Sequence, residues 1–138
     1  MEPVQEIRDR LFALQDPEYR LFQSKLMPTV DPACVIGVRI PDLRKLSREL
    51  AGTEQAAAFV RQLPHDYYEE NNLHGFLIAS LRDYGETVAA LESFLPHVDN
   101  WATCDLLHPR AFDKRPEALP DQLFRWLQSD RTYTVRFA

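Results

Sequence analysis

Tyr67-Tyr68-Glu69-Glu70-Asn71-Asn72-Leu73-His74-Gly75-Phe76-Leu77-Ile78 opens on six polar or aromatic residues and then turns apolar. Leu73, Phe76, Leu77 and Leu81 recur at the spacing of one helical face, so the stretch reads as a helix over about 68 to 81. Upstream, Thr53 heads a helix through Ala56, Phe59, Val60 and Leu63, which Pro64-His65-Asp66 breaks. Downstream, residues 85 to 96, 100 to 108 and 116 to 128 make three more. Toward the N-terminus, residues 2 to 14 carry Val4, Ile7, Leu11 and Leu14, and Asp16-Pro17 caps a second helix bearing Tyr19, Phe22 and Leu26. The one β-like apolar run, Val35-Ile36-Gly37-Val38-Arg39, is cut off by Pro41-Asp42, where a helix with Leu43, Leu46 and Leu50 begins. It reads as a buried loop.

Composition agrees with this helical reading. Only four glycines accompany ten prolines, and Pro3, Pro17, Pro41, Pro64, Pro116 and Pro120 each stand near the start of a periodic segment, where a missing N–H costs nothing. Short helices joined by short turns give an all-α fold, either a bundle or a solenoid of helix pairs. Asn72, Asp105 and Arg136 are separated by 33 and 31 residues. Polar groups recurring on every second helix at that period point to a HEAT-like helical-repeat solenoid whose second helices line one concave face. The 138 residues fit one domain, 1–138. Asp130 reads as the N-cap of a last helix that runs to Ala138 with no polar tail, so a truncated part of a longer chain is expected, with Val135 and Phe137 short of packing partners.

Charge and cysteine use narrow the function classes. The net charge is -5, which excludes a protein that coats nucleic acid nonspecifically. The acidity is uneven: residues 1 to 105 hold 10 basic and 17 acidic side chains, and the remainder 6 and 4. Arg39, Arg44, Lys45 and Arg48 against Asp42 make a second basic patch. No run reaches the roughly 18 apolar residues of a membrane span, and no apolar leader follows Met1, so a cytoplasmic protein without a membrane partner is expected. Cys34 and Cys104 lie far apart without a C-x-x-C partner, which indicates neither a disulfide framework nor a zinc site.

Few residues carry a chemical signature. Trp101 and Asp105 are four apart on a helix and share a face. An indole lowers the local dielectric beside the carboxylate, which then stabilises a nearby cation more strongly than in water. The alternative is a core Trp101 and an Asp105 that caps a helix or pairs with an arginine. Arg136 reads either as a phosphate clamp or as a salt bridge to Asp105 or Glu70. Glu70 and His74 sit four apart, yet His65, His97 and His108 offer no third ligand at metal spacing, so no metal and no cofactor is expected. Cys104 reads as a small buried filler. The run from Arg39 to Arg48 is a solvated helix face or a set of backbone-phosphate contacts.

At these residues the sequence resembles the AlkD-like family of DNA alkylation repair proteins, helical-repeat alkylpurine DNA glycosylases. The resemblance rests on Phe22-Gln23-Ser24-Lys25-Leu26 with Pro28-Thr29-Val30, on Ile36-Gly37-Val38-Arg39 followed by Pro41 and Leu43-Arg44-Lys45-Leu46, and on the block from Tyr67 to Ile78. It continues in Val98-Asp99-Asn100-Trp101-Ala102-Thr103-Cys104-Asp105 and Tyr133-Thr134-Val135-Arg136-Phe137, and so covers most of the chain. It implies a DNA glycosylase acting on cationic N3- or N7-alkylated purines in double-stranded DNA. Asp105 would stabilise the oxocarbenium-like sugar and position water, with Trp101 packed against the deoxyribose and Arg136 on the backbone phosphate. Arg39, Arg44, Lys45 and Asn72 are the further DNA-binding expectations. The family's cleft is completed by later repeats that lie beyond this chain. Two other classes remain: a non-catalytic module that binds damaged or branched DNA through its backbone, and a protein–protein scaffold. A monomer is expected. Geometry separates the readings, because a site requires Trp101, Asp105, Arg136 and Asn72 along one groove, with Trp101 partly exposed.

Overall fold

A computed structural model of the chain describes residues 2–27, 30–63, 65–98, 100–107, 109, 112, 119–129 and 131–137. The helices are α1 (Glu2–Ala13), α2 (Pro17–Leu26), α3 (Ile40–Leu50), α4 (Glu54–Val60), α5 (Tyr68–Ala79), α6 (Tyr84–Phe94), α7 (Trp101–Leu106), α8 (Leu119–Leu127) and α9 (Thr132–Phe137). No strand occurs among the described residues. The starts follow from side-chain caps. Asp16 accepts from the Glu18 and Tyr19 N–H groups, Thr53 from Ala56, Asp83 from Glu86 and Asn100 from Thr103. Each satisfies donors that a helix start leaves over, at about 1 kcal/mol apiece. Helix α4 ends at Val60, short of Leu63, and the expected stop at Pro64 and cap at Asp130 lie outside the described residues.

Helices α3, α5, α7 and α9 lie side by side in one row. Helix α1 packs on α4, α4 and α6 on α5, and α8 on α9. The chain therefore alternates between the row and a second set of helices, which gives an all-α helical-repeat architecture. Its period shows directly in the contacts: Glu69 reaches back to the loop 36–38, and Asn72 meets Thr103, 31 residues on.

The first core joins Ile7 and Leu11 of α1 to Leu43, Leu46 and Leu50 of α3, Phe59 of α4, and Leu73 and Leu77 of α5. The second joins Ile78 to Leu91, Phe94, Leu95, Cys104, Leu107 and Trp126. Helix α5 belongs to both, and every residue from Tyr68 to Ile78 is buried. The one-faced helix read from its leucines is thus corrected to a helix wrapped on all sides. Its two acids are satisfied individually. The Glu69 carboxylate accepts the N–H groups of Ile36 at 2.8 Å, Gly37 at 2.9 Å and Val38 at 3.3 Å. Glu70 accepts Arg8 and the N–H groups of Asp66 and Tyr67. The buried loop at 35–38 is held by Glu69 and by Gly37, whose φ is 95°. A Cβ at Gly37 would lie 2.6 Å from that of Arg20 and 2.7 Å from the Asp16 carbonyl oxygen, so this position admits only glycine.

Two packing expectations change. Phe22 of α2 is 59% exposed and Leu21 is exposed beside it, while Gln23 is buried and donates to the Tyr68 hydroxyl at 3.1 Å. Helix α2 is fastened by polar contacts as well, since Arg20 donates to the Val35 and Pro32 carbonyls. Phe137 is not short of partners: it packs edge-on to Trp126 at 5.4 Å and lies 6.5 Å from Phe112.

A ring column links the two cores. Phe59 stacks on His65 at 4.4 Å, His65 Nε2 and His74 Nδ1 share a hydrogen bond of 2.8 Å, and His74 stacks on Phe94 at 4.4 Å. Burial, reinforced by Arg8 and His97 and weakly opposed by Asp66, lowers His65 to about 4. Burial, with His65 and His97, lowers His74 to about 3. Both imidazoles are neutral in the folded protein, so below the unfolded value of 6.5 only the unfolded chain takes up these protons. Stability is therefore lost as pH falls from 6.5 toward 4. Going from pH 7 to 5.5, the pair should cost on the order of 2 kcal/mol, read by urea unfolding. A His65→Phe, His74→Leu variant should lose that part of the slope, and an unchanged slope would refute the assignment.

Candidate functional site

The third helix of the row is short and is placed by buried polar contacts. Asn100 caps α7 by accepting the Thr103 N–H at 2.7 Å, and the Thr103 hydroxyl donates to Asn72 Oδ1 at 2.6 Å. Asn72 is almost wholly buried. Its expected place as a DNA-contacting residue is corrected: it faces the neighbouring helix and fixes the rotation of α7. Asp105 comes two residues after Thr103 and points to solvent.

Arg136, on α9, closes on Asp105 in a two-pronged pair, with Nε donating to Oδ1 at 2.9 Å and Nη2 to Oδ2 at 2.7 Å. Each side chain is 47% exposed. The pair therefore stands at the surface of the row, with both residues on one side of the molecule. Hydrogen bonding to Arg136 holds the Asp105 carboxyl below its usual range, so it is ionised at neutral pH. Each carboxylate oxygen accepts one hydrogen bond here and keeps a second lone pair. Such a group can orient a water molecule or face a developing cation. Trp101 is the first residue of α7, and its side chain lies outside the described residues.

The other expected residues are placed apart from this pair. Arg39 donates to Asp16 Oδ2 at 2.9 Å and lies over the Tyr19 ring at 4.9 Å. Arg44 is exposed, with its guanidinium 4.8 Å from the centre of the Phe76 ring. Lys45 lines a groove of mixed charge with Arg10, Asp42 and Glu49. Glu70 and His74, considered as ligands, are taken by Arg8 and His65 respectively. No cluster of three potential metal ligands occurs among the described residues. Cys34 and Cys104 form no disulfide, and burial raises the Cys104 thiol to about 11, which leaves it protonated. One contributor escapes a reading by motif: Thr103 is a positioning residue marked only by its 31-residue separation from Asn72.

The family model described as DNA alkylation repair enzyme matches residues 7–138. The chain belongs to the DNA alkylation repair enzyme family. No curated protein and no solved structure shows a significant match. The family match spans all nine helices named above except the first residues of α1, so the Asp105–Arg136 pair lies within the part of the chain that carries a DNA alkylation repair enzyme's sequence. A role in DNA alkylation repair follows from that membership, and no helix among the described residues is long and apolar enough to cross a membrane.

Proposed function

We propose that this alkylation repair protein is a DNA glycosylase that releases cationic N3- or N7-alkylated purines from double-stranded DNA in the cytoplasm. The observation that carries the reading is the solvent-facing, ionised Asp105 held by Arg136 on adjacent helices of one row. In an alkylated purine nucleotide the C1′–N bond breaks with its electron pair going to the base, which leaves neutral because it was cationic. The sugar then carries positive charge. A fixed anion aimed at it stabilises that charge without reorganising in the transition state. Asp105 also orients the water that adds to C1′, whose proton passes to solvent. Trp101 packs against the deoxyribose, and Arg136 serves the backbone phosphate. No cofactor or metal enters these steps.

The test is base release. The protein is incubated with duplex DNA carrying N7-methylguanine, and free base is measured against the spontaneous rate. Release above that rate supports the reading, and its absence in a folded protein sinks it. One observation favours a second reading: Arg136 already neutralises Asp105 in a closed fork, as it would in a non-catalytic module that binds damaged or branched DNA. Binding that survives Asp105→Ala, without base release, is the outcome that module predicts.

A further inference from the structure

Helix α2 presents its apolar side outward. Glu18, Leu21, Phe22, Lys25 and Leu26 are exposed, at the spacing of one helical face. Leu21 at 64% and Phe22 at 59% are the two most exposed large apolar side chains among the described residues, and Leu26 continues the stripe. The opposite face is the one that meets the body of the protein, with Gln23 on the Tyr68 hydroxyl, Arg20 on the Val35 and Pro32 carbonyls, and the Tyr19 ring under Arg39. No side chain of α2 joins a buried apolar cluster among the described residues. Apolar side chains that stand singly in water need no explanation, but adjacent ones on one helix face mark an interaction site.

We infer that this face pairs two copies of the chain, α2 against α2 in antiparallel orientation about a two-fold axis between Leu21 and Phe22. The charges select this occupant. The stripe carries an acid near its N-terminal end and a base seven residues on, with the two apolar residues midway between them. The two-fold lays Leu21 on the partner's Phe22, Glu18 beside the partner's Lys25 and Lys25 beside the partner's Glu18, so one operation forms both ion pairs. A parallel pairing would instead set like charges together. Within the protomer neither Glu18 nor Lys25 meets an opposite charge among the described residues, whereas Arg8, Arg10 and Arg39 do. The face carries no net charge, which does not suit a phosphate backbone or an anionic membrane. The Asp16 cap and Pro17 in the first turn already fix α2, so pairing does not have to order the helix. A ten-residue helix is about 15 Å long, and its contact falls below the roughly 1,200 Å² of a stable complex. The dimer is therefore weak and reversible, with a Kd of about 10 to 100 µM, in place of the monomer expected from the sequence. Asp105 and Arg136 lie on α7 and α9 and take no part, so the inference goes beyond the base-release reading and does not depend on it.

Sedimentation equilibrium of the full chain, at concentrations on either side of that Kd, reads the association directly. Wild type should pass from monomer to dimer across the range. Phe22→Ser, on a side chain that supports no core, should weaken association at least about 30-fold. Glu18→Lys and Lys25→Glu should each weaken it about tenfold at low salt, because both ion pairs of the two-fold become like-charge contacts. Mixed in equal amounts, the two charge variants should recover wild-type association, since each offers the charges that the other lacks. That recovery excludes misfolding as the cause of either loss. Leu127→Ser, on an exposed apolar side chain of α8, should change nothing. A wild type that stays monomeric throughout overturns the inference, and so does a dimer that survives Phe22→Ser. Charge variants that do not recover on mixing overturn the antiparallel pairing. A monomeric wild type whose affinity for duplex DNA falls with Phe22→Ser would assign the face to DNA instead. Base release enters none of these readouts, so the glycosylase reading can fail while this one holds.

Discussion

Asp105→Asn should slow base release by about 100- to 1000-fold, the effect of removing one preorganised electrostatic group, roughly 2.7 to 4 kcal/mol. The substitution keeps shape and one acceptor for Arg136, but turns an NH2 toward a guanidinium that now faces a donor. Because Asp105 is half exposed and joins no core, the fold should hold, with a melting temperature within a few degrees of wild type. DNA affinity should stay level or rise, since one negative charge near phosphate is gone. Single-turnover excision at saturating enzyme separates these effects, and a rate within threefold of wild type would show that Asp105 does no chemistry. The pH profile gives a second check. Pairing with Arg136 lowers the Asp105 pKa, so its charge is complete above the usual carboxylate range and is lost only as pH falls below it. This group therefore predicts a flat rate between pH 6 and 8.

The largest stability effect should come from Glu69→Ala, about 4 kcal/mol in urea unfolding at neutral pH. Three buried N–H groups, those of Ile36, Gly37 and Val38, converge on this one carboxylate. Truncation leaves all three without an acceptor in a place water does not reach, at about 1 to 3 kcal/mol each, partly offset because a carboxylate need no longer be buried. That offset is real: burial pushes the Glu69 carboxyl up while the three N–H bonds pull it down. A domain of this size has about 5 to 15 kcal/mol in total, so the variant should sit near unfolding at 37 °C. A loss under 1 kcal/mol would mean that the loop finds other partners.

The readable part of this molecule was its punctuation. Asp16-Pro17, Thr53 and Asn100 are local signals, and each caps the helix it precedes. The separation of Asp105 and Arg136 was readable as a repeat interval, and the two side chains do meet. What sequence could not disclose was partnership at a distance. Glu69, Glu70 and Asn72 look like a solvated helix entrance because charged and amide side chains seldom lie inside. They are inside because Arg8, the loop at 36–38 and Thr103 come from 31 to 62 residues away to meet them. Asn72 was misassigned to the groove for that reason. Phe22 erred in the opposite sense, since helical spacing cannot tell which face of α2 is covered.

The burial of α5 on every side also sets what this chain can tolerate in evolution. An ordinary surface helix offers drift an outward stripe, where one residue in two or three is free to change. Helix α5 has no such stripe from Tyr68 to Ile78, because its leucines fill two cores while its two acids, Asn72 and His74 each answer a particular neighbour. Change there must arrive in matched pairs, one member in α5 and the other a repeat away. The longest unbroken signature in the sequence is thus a packing constraint, and it lies beneath the surface on which Asp105 and Arg136 are displayed.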